Sequence, residues 1–331
     1  MISNNSETKH IFAIDMNKQM INLDITITGD LGSGKSSVAK SLCEKLNYKY
    51  FSTGVIQRQI GKENGMNTLE LNYFAEKNLD IDKYIDDFVI RLNDNKEDSF
   101  AIDSRMAWHF IRNSFKIYLT VDPIVAAKRV LADSQRDSEP IIEDIYEKSL
   151  NLLERRAAED KRFKSIYGVD CGDLNNYDLV IDTTNSSVEE ISTLIFQLFT
   201  AFSNKANINK YWVSPKVLYP TEHVRQLGRE EAKKIRQSVS DSGYDKTNVV
   251  DAVQLGRELF IWDGHKRVSA SIFNKVPLIP IVILAKDDEE IHSGHIVSKF
   301  IEAAFNLSWL YDWEDVHGFV FVSYPKIMIK S

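Results

Sequence analysis

The sequence of 331 residues predicts an α/β fold with a parallel sheet over its first two hundred residues, followed by a smaller α+β unit. Three observations point there. Short β-branched runs alternate with longer stretches of helical periodicity up to about residue 202, the pattern that builds a parallel sheet covered on both faces. A glycine-rich turn, Gly29–Ser36, joins the first such run to the first helix. The periodicity then lapses at Ser203-Asn204-Lys205-Ala206-Asn207-Ile208-Asn209-Lys210, and the elements beyond are shorter and differently ordered. Since a chain of this length ordinarily forms two domains, the expected division is an N-terminal extension at 1–21, a first domain at 22–202, a linker at 203–210 and a second domain at 211–331.

The elements follow in chain order. Leu23-Asp24-Ile25-Thr26-Ile27-Thr28 alternates and is β-branched, which predicts a strand, and Ser37–Leu46 has apolar residues at helical spacing. Phe100-Ala101-Ile102, Phe115–Val121 and Leu179-Val180-Ile181 are further strands, separated by helical stretches such as Ile142–Phe163 and Ser187–Phe202. After the linker, Tyr211–Leu218 and Asn248–Val253 predict short strands and Arg229–Ser242 a helix. Leu259–Trp262 is a strand turning at Asp263-Gly264, and Lys266–Phe273 a second helix. Val276–Leu284 is strand-like with prolines near its start, where a missing N–H is tolerated. Beyond Leu284 the pattern assigns no element, and Trp309, Tyr311, Trp313 and Phe319 are read as core.

Composition excludes several classes. Charged residues make up 27%, and no apolar run approaches the roughly 20 residues that cross a bilayer. Met1–Met20 lacks the uninterrupted apolar stretch of a secretory signal. Cys43 and Cys171 make neither a disulfide framework nor a C-x-x-C pair, so a reducing cytoplasm without structural zinc is expected. The net charge of −7 resides wholly in residues 1–205, the remainder being balanced. Neither half is a basic module, which speaks against a nucleic-acid partner. His292-x-x-His295 has helical spacing suited either to a metal or to a solvated pair.

Gly29-Asp30-Leu31-Gly32-Ser33-Gly34-Lys35-Ser36 satisfies G-x-x-x-x-G-K-[ST] in full, between a predicted strand and a predicted helix. Its glycines let backbone N–H groups curl around an anion while the helix N-terminus points at the same place. Candidate ATP-binding residues are therefore Gly29, Gly32, Ser33, Gly34, Lys35, Ser36 and Ser37, with Lys35 reaching the β- and γ-phosphates and Ser36 holding Mg²⁺. The alternative is a glycine-rich turn without chemical meaning.

Three further segments carry a resemblance. Ser52-Thr53-Gly54-Val55-Ile56-Gln57-Arg58 is similar to S-T/A-G-x-x-x-R, Ala101–Trp108 to V-x-[ED]-G-R-x-A-x-W, and Glu154–Gly168 to a basic helix R-x-x-x-E-x-x-R-[YF]-x-x-I-Y-G. With the glycine-rich loop, these resemble the nucleoside monophosphate kinases, most closely the compact archaeal-type cytidylate kinases, over about residues 22–200. The resemblance implies that Ser52, Thr53, Gly54, Arg58 and Arg105 bind the acceptor nucleotide, that Asp103 lies near Mg²⁺, and that Arg156 and Arg162 close over the transferring phosphoryl group. The basic helix also reads as a solvated face balanced by Glu154, Glu159 and Asp160. Two departures concern the acceptor: Ser104 stands where the family has Gly, and the stretch Asp80–Asp87 is unusually acidic.

In the second half, Asp263-Gly264-His265-Lys266-Arg267-Val268-Ser269-Ala270 resembles the D-G-H-x-R-x-x-A signature of the ParB/sulfiredoxin-like fold, over roughly Tyr211–Leu284. That fold includes DNA-partitioning CTP switches, sulfiredoxins and free-serine kinases. The resemblance implies that Asp263, Gly264, His265 and Arg267 hold nucleotide phosphates. It places Glu222 where free-serine kinases have a catalytic acid, or else in a polar helix-entry loop. No cysteine stands in the loop, which excludes sulfiredoxin activity. Together the readings imply a cytoplasmic ATP- and Mg²⁺-dependent phosphotransferase with catalytic candidates Lys35, Asp103, Arg156, Arg162 and Glu222. The expected acceptor is CMP, dCMP or a relative; the alternatives are a modified nucleotide or biosynthetic intermediate, or a nucleotide-sensing switch or DNA adaptor.

Overall fold

The computed structural model describes residues 23–66, 70–71, 74–75, 79–94, 98–133, 144–223, 249–291 and 294–325. The predicted helix Arg229–Ser242 and His292 lie outside them.

The chain begins with β1 (Asp24–Gly29), α1 (Lys35–Leu46), β2 (Lys49–Ser52), α2 (Thr53–Glu63), α3 (Leu79–Asp94) and β3 (Phe100–Asp103). There follow α4 (Ala107–Phe110), β4 (Ser114–Thr120), α5 (Pro123–Ala132), α6 (Ile145–Tyr167), β5 (Leu179–Asp182) and α7 (Val188–Ser203). The five strands lie in the order β2-β3-β1-β4-β5, all parallel, with Ile25 beside Ala101 and Phe115. Ile25, Ile27, Phe115, Ile117 and Leu119 face α1 and α7, where they meet Val38, Leu42, Ile195 and Phe199. On the opposite face Tyr118 and Val180 pack with Trp108 and Phe163. This is why the strands are apolar nearly throughout. Local chemistry sets the helix starts: Asp122 caps α5 ahead of Pro123, and Ser187 with Glu190 forms a capping box on α7.

Residues 204–210 lead from α7 into β6 (Tyr211–Val213), which pairs in parallel with β5. The remaining strands are β7 (Leu218–Tyr219), β8 (Val250–Leu255), β9 (Glu258–Asp263) and β10 (Ile279–Lys286), accompanied by α8 (His265–Phe273), α9 (Val297–Ala304) and α10 (Leu307–His317). Among the described residues one ten-stranded sheet results, in the order β2-β3-β1-β4-β5-β6-β10-β8-β9-β7. A second core gathers Val250, Phe260, Ile261, Val268, Ile281 and Trp313, whereas Trp212 and Leu278 pack into the first.

Three local differences from the sequence reading have physical causes. The strand expected over Tyr211–Leu218 is interrupted by a single 3-10 turn at Pro215–Val217, because Pro215 donates no N–H and Ser214 caps the turn. Val276–Leu284 pairs only from Ile279, after Pro277. Trp313 is fully buried as expected of a core residue, but Tyr311 is exposed on the far side of α10.

Candidate active site

The loop between β1 and α1 needs glycine at two places. Gly29 has φ +141°, and a Cβ there would lie 2.1 Å from the Leu119 carbonyl oxygen; Gly32 has φ +77°, and a Cβ would lie 2.9 Å from the Ala126 backbone. The loop therefore presses against β4 and α5. Inside it the Asp30 carbonyl accepts from the Ser33 N–H and hydroxyl, at 3.3 and 2.8 Å, and from Lys35 Nζ at 2.7 Å.

Three cations from three elements converge on one oxygen. The Gly29 carbonyl accepts from Lys35 Nζ at 3.1 Å, from Arg105 just past β3, and from Arg156 of α6 at 3.3 Å. Burial and the nearby Arg105 guanidinium lower the Lys35 pKa to about 7. Acidic groups aim the arginines: buried Glu159 pairs with Arg105 at 2.9 Å and Arg155 at 3.1 Å, and Asp160 pairs with Arg156 at 2.8 Å. Burial would raise the Glu159 pKa, yet the surrounding guanidiniums hold it down at about 2. The Arg156 guanidinium also stands over the Tyr118 ring.

Beside this cluster, Ser36 Oγ donates to Asp103 Oδ2 at 2.5 Å, and the Ser52 and Tyr50 hydroxyls reach the same oxygen at 3.4 and 3.5 Å. A hydroxyl and a carboxylate form a hard oxygen donor set suited to Mg²⁺, which usually takes one or two protein ligands with the rest from phosphate and water. Among the described residues no group of three His, Cys, Asp or Glu stands ready for a metal. Ser52 ends β2, and Thr53 and Gly54 open α2; Arg58 folds back so that its guanidinium lies against Gly54. The Ser104 hydroxyl accepts from the Met106 and Ala107 N–H groups, which turns the chain into α4.

Other candidates lie elsewhere. Arg162 faces Asp82 of α3 at 3.6 Å, and Asp86, whose pKa burial raises to about 6, accepts from the Tyr167 hydroxyl. In the second half, Gly264 at φ +107° opens α8, and buried His265 accepts the Thr221 N–H at Nε2 while its Nδ1 stands 3.7 Å from Glu222. Burial lowers the His265 pKa to about 4. Arg267 folds onto Asp263 and the Val249 carbonyl. Sequence reading did not single out Asp30, which fills an x of the glycine-loop motif, Arg257, which stands in no motif, or the aiming role of Glu159, because the E of the basic-helix motif does not say which arginines it will meet.

The sequence model described as "Cytidylate kinase-like family" matches residues 24–185. The cytidylate kinase of Sulfurisphaera tokodaii is 36% identical over 173 residues, which cover 52% of this chain and 92% of that protein. The chain belongs to the cytidylate kinase-like family. It is a kinase. The cytidylate kinase of Methanocaldococcus jannaschii is also 36% identical, over 172 residues and 94% of its length. A longer match of 239 residues, 30% identical, joins this kinase to the S-adenosylmethionine-dependent nucleotide dehydratase of Lacinutrix mariniflava, covering 67% of this chain and 48% of that protein. Among solved structures, a shikimate kinase from Bacteroides thetaiotaomicron is similar at 15% identity with a TM-score of 0.40, over 54% of this chain and 98% of that one. Among the described residues no helix is long and apolar enough to cross a membrane.

Proposed function

We propose that this kinase transfers the γ-phosphoryl group of ATP to the phosphate of CMP, dCMP or a close relative. The observation that carries the reading is the convergence of Lys35, Arg105 and Arg156 on the Gly29 carbonyl, at the mouth of the glycine loop. An acceptor phosphate oxygen attacks the γ-phosphorus, the bond to the β,γ-bridging oxygen breaks, and ADP leaves. Catalysis of that exchange is positioning and charge stabilisation, which fixed guanidiniums provide. Lys35 neutralises the β- and γ-oxygens, Arg58 and Arg105 hold the acceptor, and Arg156 stabilises the charge in transit. Arg162 would join on leaving Asp82. Ser36 and Asp103 would hold Mg²⁺, which supplies charge neutralisation on the phosphates. The test is a panel of nucleoside monophosphates with ATP and Mg²⁺, products identified by mass. CMP or dCMP should be phosphorylated, and Lys35→Ala should abolish turnover without unfolding the chain; no turnover on any monophosphate would refute the reading.

The match to a nucleotide dehydratase favours a second reading, in which the acceptor is a nucleoside monophosphate that has lost the elements of water. Adding such a compound to the panel decides between them by kcat/KM. For the second half, we propose that a ParB-like loop of Asp263, Gly264, His265 and Arg267 holds a second nucleotide beside Glu222. What supports it is the repetition of a left-handed glycine immediately before a helix, Gly264 before α8 as Gly34 before α1. In a Lys35→Ala background, residual ATP or CTP binding that vanishes with Arg267→Ala is the expected result.

A further inference from the structure

The second half reaches into the phosphate-binding loop of the first. The β8–β9 turn is Gly256-Arg257, and Arg257 Nη2 donates to Asp30 Oδ2 at 2.5 Å and to the Val121 carbonyl at 3.2 Å. Its root is fixed: Gly256 takes φ +60°, its N–H donates to Asp287, and its carbonyl accepts from Gln254. Nearby, Ser323 donates to Asp122 at 2.7 Å, so the C-terminal segment also leans on the residue that caps α5.

Asp30 is the residue through which such a contact is felt. Its side chain is buried, accepting from the Tyr118 hydroxyl at 3.1 Å, the Val121 N–H at 3.2 Å and Arg257. Its own carbonyl carries Ser33 and Lys35. A buried carboxylate persists only with compensating partners. Burial alone would raise its pKa; the Arg257 and then the Arg156 guanidinium hold it below the usual range. Without Arg257, the next cation available to Asp30 is Arg156, one of the three that meet at Gly29.

We propose that Arg257 is a positioning residue for nucleotide binding: by holding Asp30 it fixes the carbonyl that carries Lys35 and leaves Arg156 free to face the phosphates. The second half thereby completes the donor site of the first. The proposal rests on the glycine loop being the ATP site.

The test uses the full chain as wild type, Arg257→Ala, Arg257→Lys, Asp30→Asn and the double variant Asp30→Asn/Arg257→Ala. Each is titrated calorimetrically with ATP and Mg²⁺, melted, and assayed for the KM of CMP as the acceptor. Arg257→Ala should bind ATP about tenfold more weakly, in the usual range for coupling between sites. Its acceptor KM should stay within about twofold. Arg257→Lys should recover most of the affinity, and the double variant should be no weaker than Asp30→Asn alone. Unchanged ATP affinity in Arg257→Ala, additive losses, or an equal loss of ATP and acceptor binding with a lowered melting midpoint would overturn the proposal. Failure of the wild type itself to bind ATP would instead overturn the assignment of the loop.

Discussion

Replacing Glu159 with Gln removes one negative charge from among four guanidiniums, and the structure sets the size of the effect. Glu159 is 5% exposed and pairs with Arg105 and Arg155, while Arg156 and Arg162 also act on it. Its pKa, about 2 in the folded chain against an ordinary 4.5, corresponds to about 3 kcal/mol of stability at neutral pH. A glutamine keeps the shape and one acceptor oxygen but lets the guanidiniums repel. Because the folded pKa is depressed, this stability is complete above pH 4.5 and drains away as pH falls toward 2. Urea unfolding of wild type and Glu159→Gln at pH 7, 5, 4 and 3 should show a gap of about 3 kcal/mol at pH 7 that narrows below pH 4.5. Turnover should fall by about a hundredfold, since Arg105 loses the partner that aims it at Gly29. A gap under about 1 kcal/mol at pH 7, or one undiminished at pH 3, would refute the reasoning.

Other outcomes follow from the same geometry. Since Lys35 titrates near pH 7 without nucleotide and a polyphosphate restores its proton, ATP affinity should weaken by up to about tenfold per pH unit above 7. Calorimetry in two buffers of different ionisation enthalpy should show proton uptake; constant affinity from pH 6 to 9 would contradict it. Between pH 6.5 and about 4 the unfolded chain protonates His265 before the folded one does, so melting should cost up to about 3 kcal/mol of stability as pH falls. His265→Gln, whose amide oxygen can still accept the Thr221 N–H, should flatten that slope. Gly32→Ala should abolish ATP binding in a titration while the secondary structure seen by circular dichroism persists, because its Cβ would strike Ala126 at a positive φ.

The parallel sheet was legible because β-branched alternation and helical spacing are local, and the glycine loop because its chemistry needs fixed residues in a fixed order. The basic helix was legible as an element but not in its division. Along α6, Arg156 turns to the glycine loop, Arg162 turns to α3, and Lys161 faces solvent, a sorting that depends on which neighbour each side meets. The acidic stretch 80–87 likewise looked uniform, yet Asp82 and Asp86, one turn apart, face Arg162 and Tyr167. Least legible was Arg257, whose partner Asp30 lies 227 positions away. Nothing in a Gly-Arg turn announces the partner it will find.

The seam between β5 and β6 has a practical consequence for anyone dividing this gene. An expression fragment ending in residues 204–210 would strip β6 from β5, exposing a ladder edge where Val180 now donates to the Lys210 carbonyl at 2.7 Å. It would also remove Trp212 from the first core, and losing a buried tryptophan ordinarily costs about 3–5 kcal/mol. Here the boundary in the sequence is an interior in space, and a fragment cut at it should aggregate through its open strand.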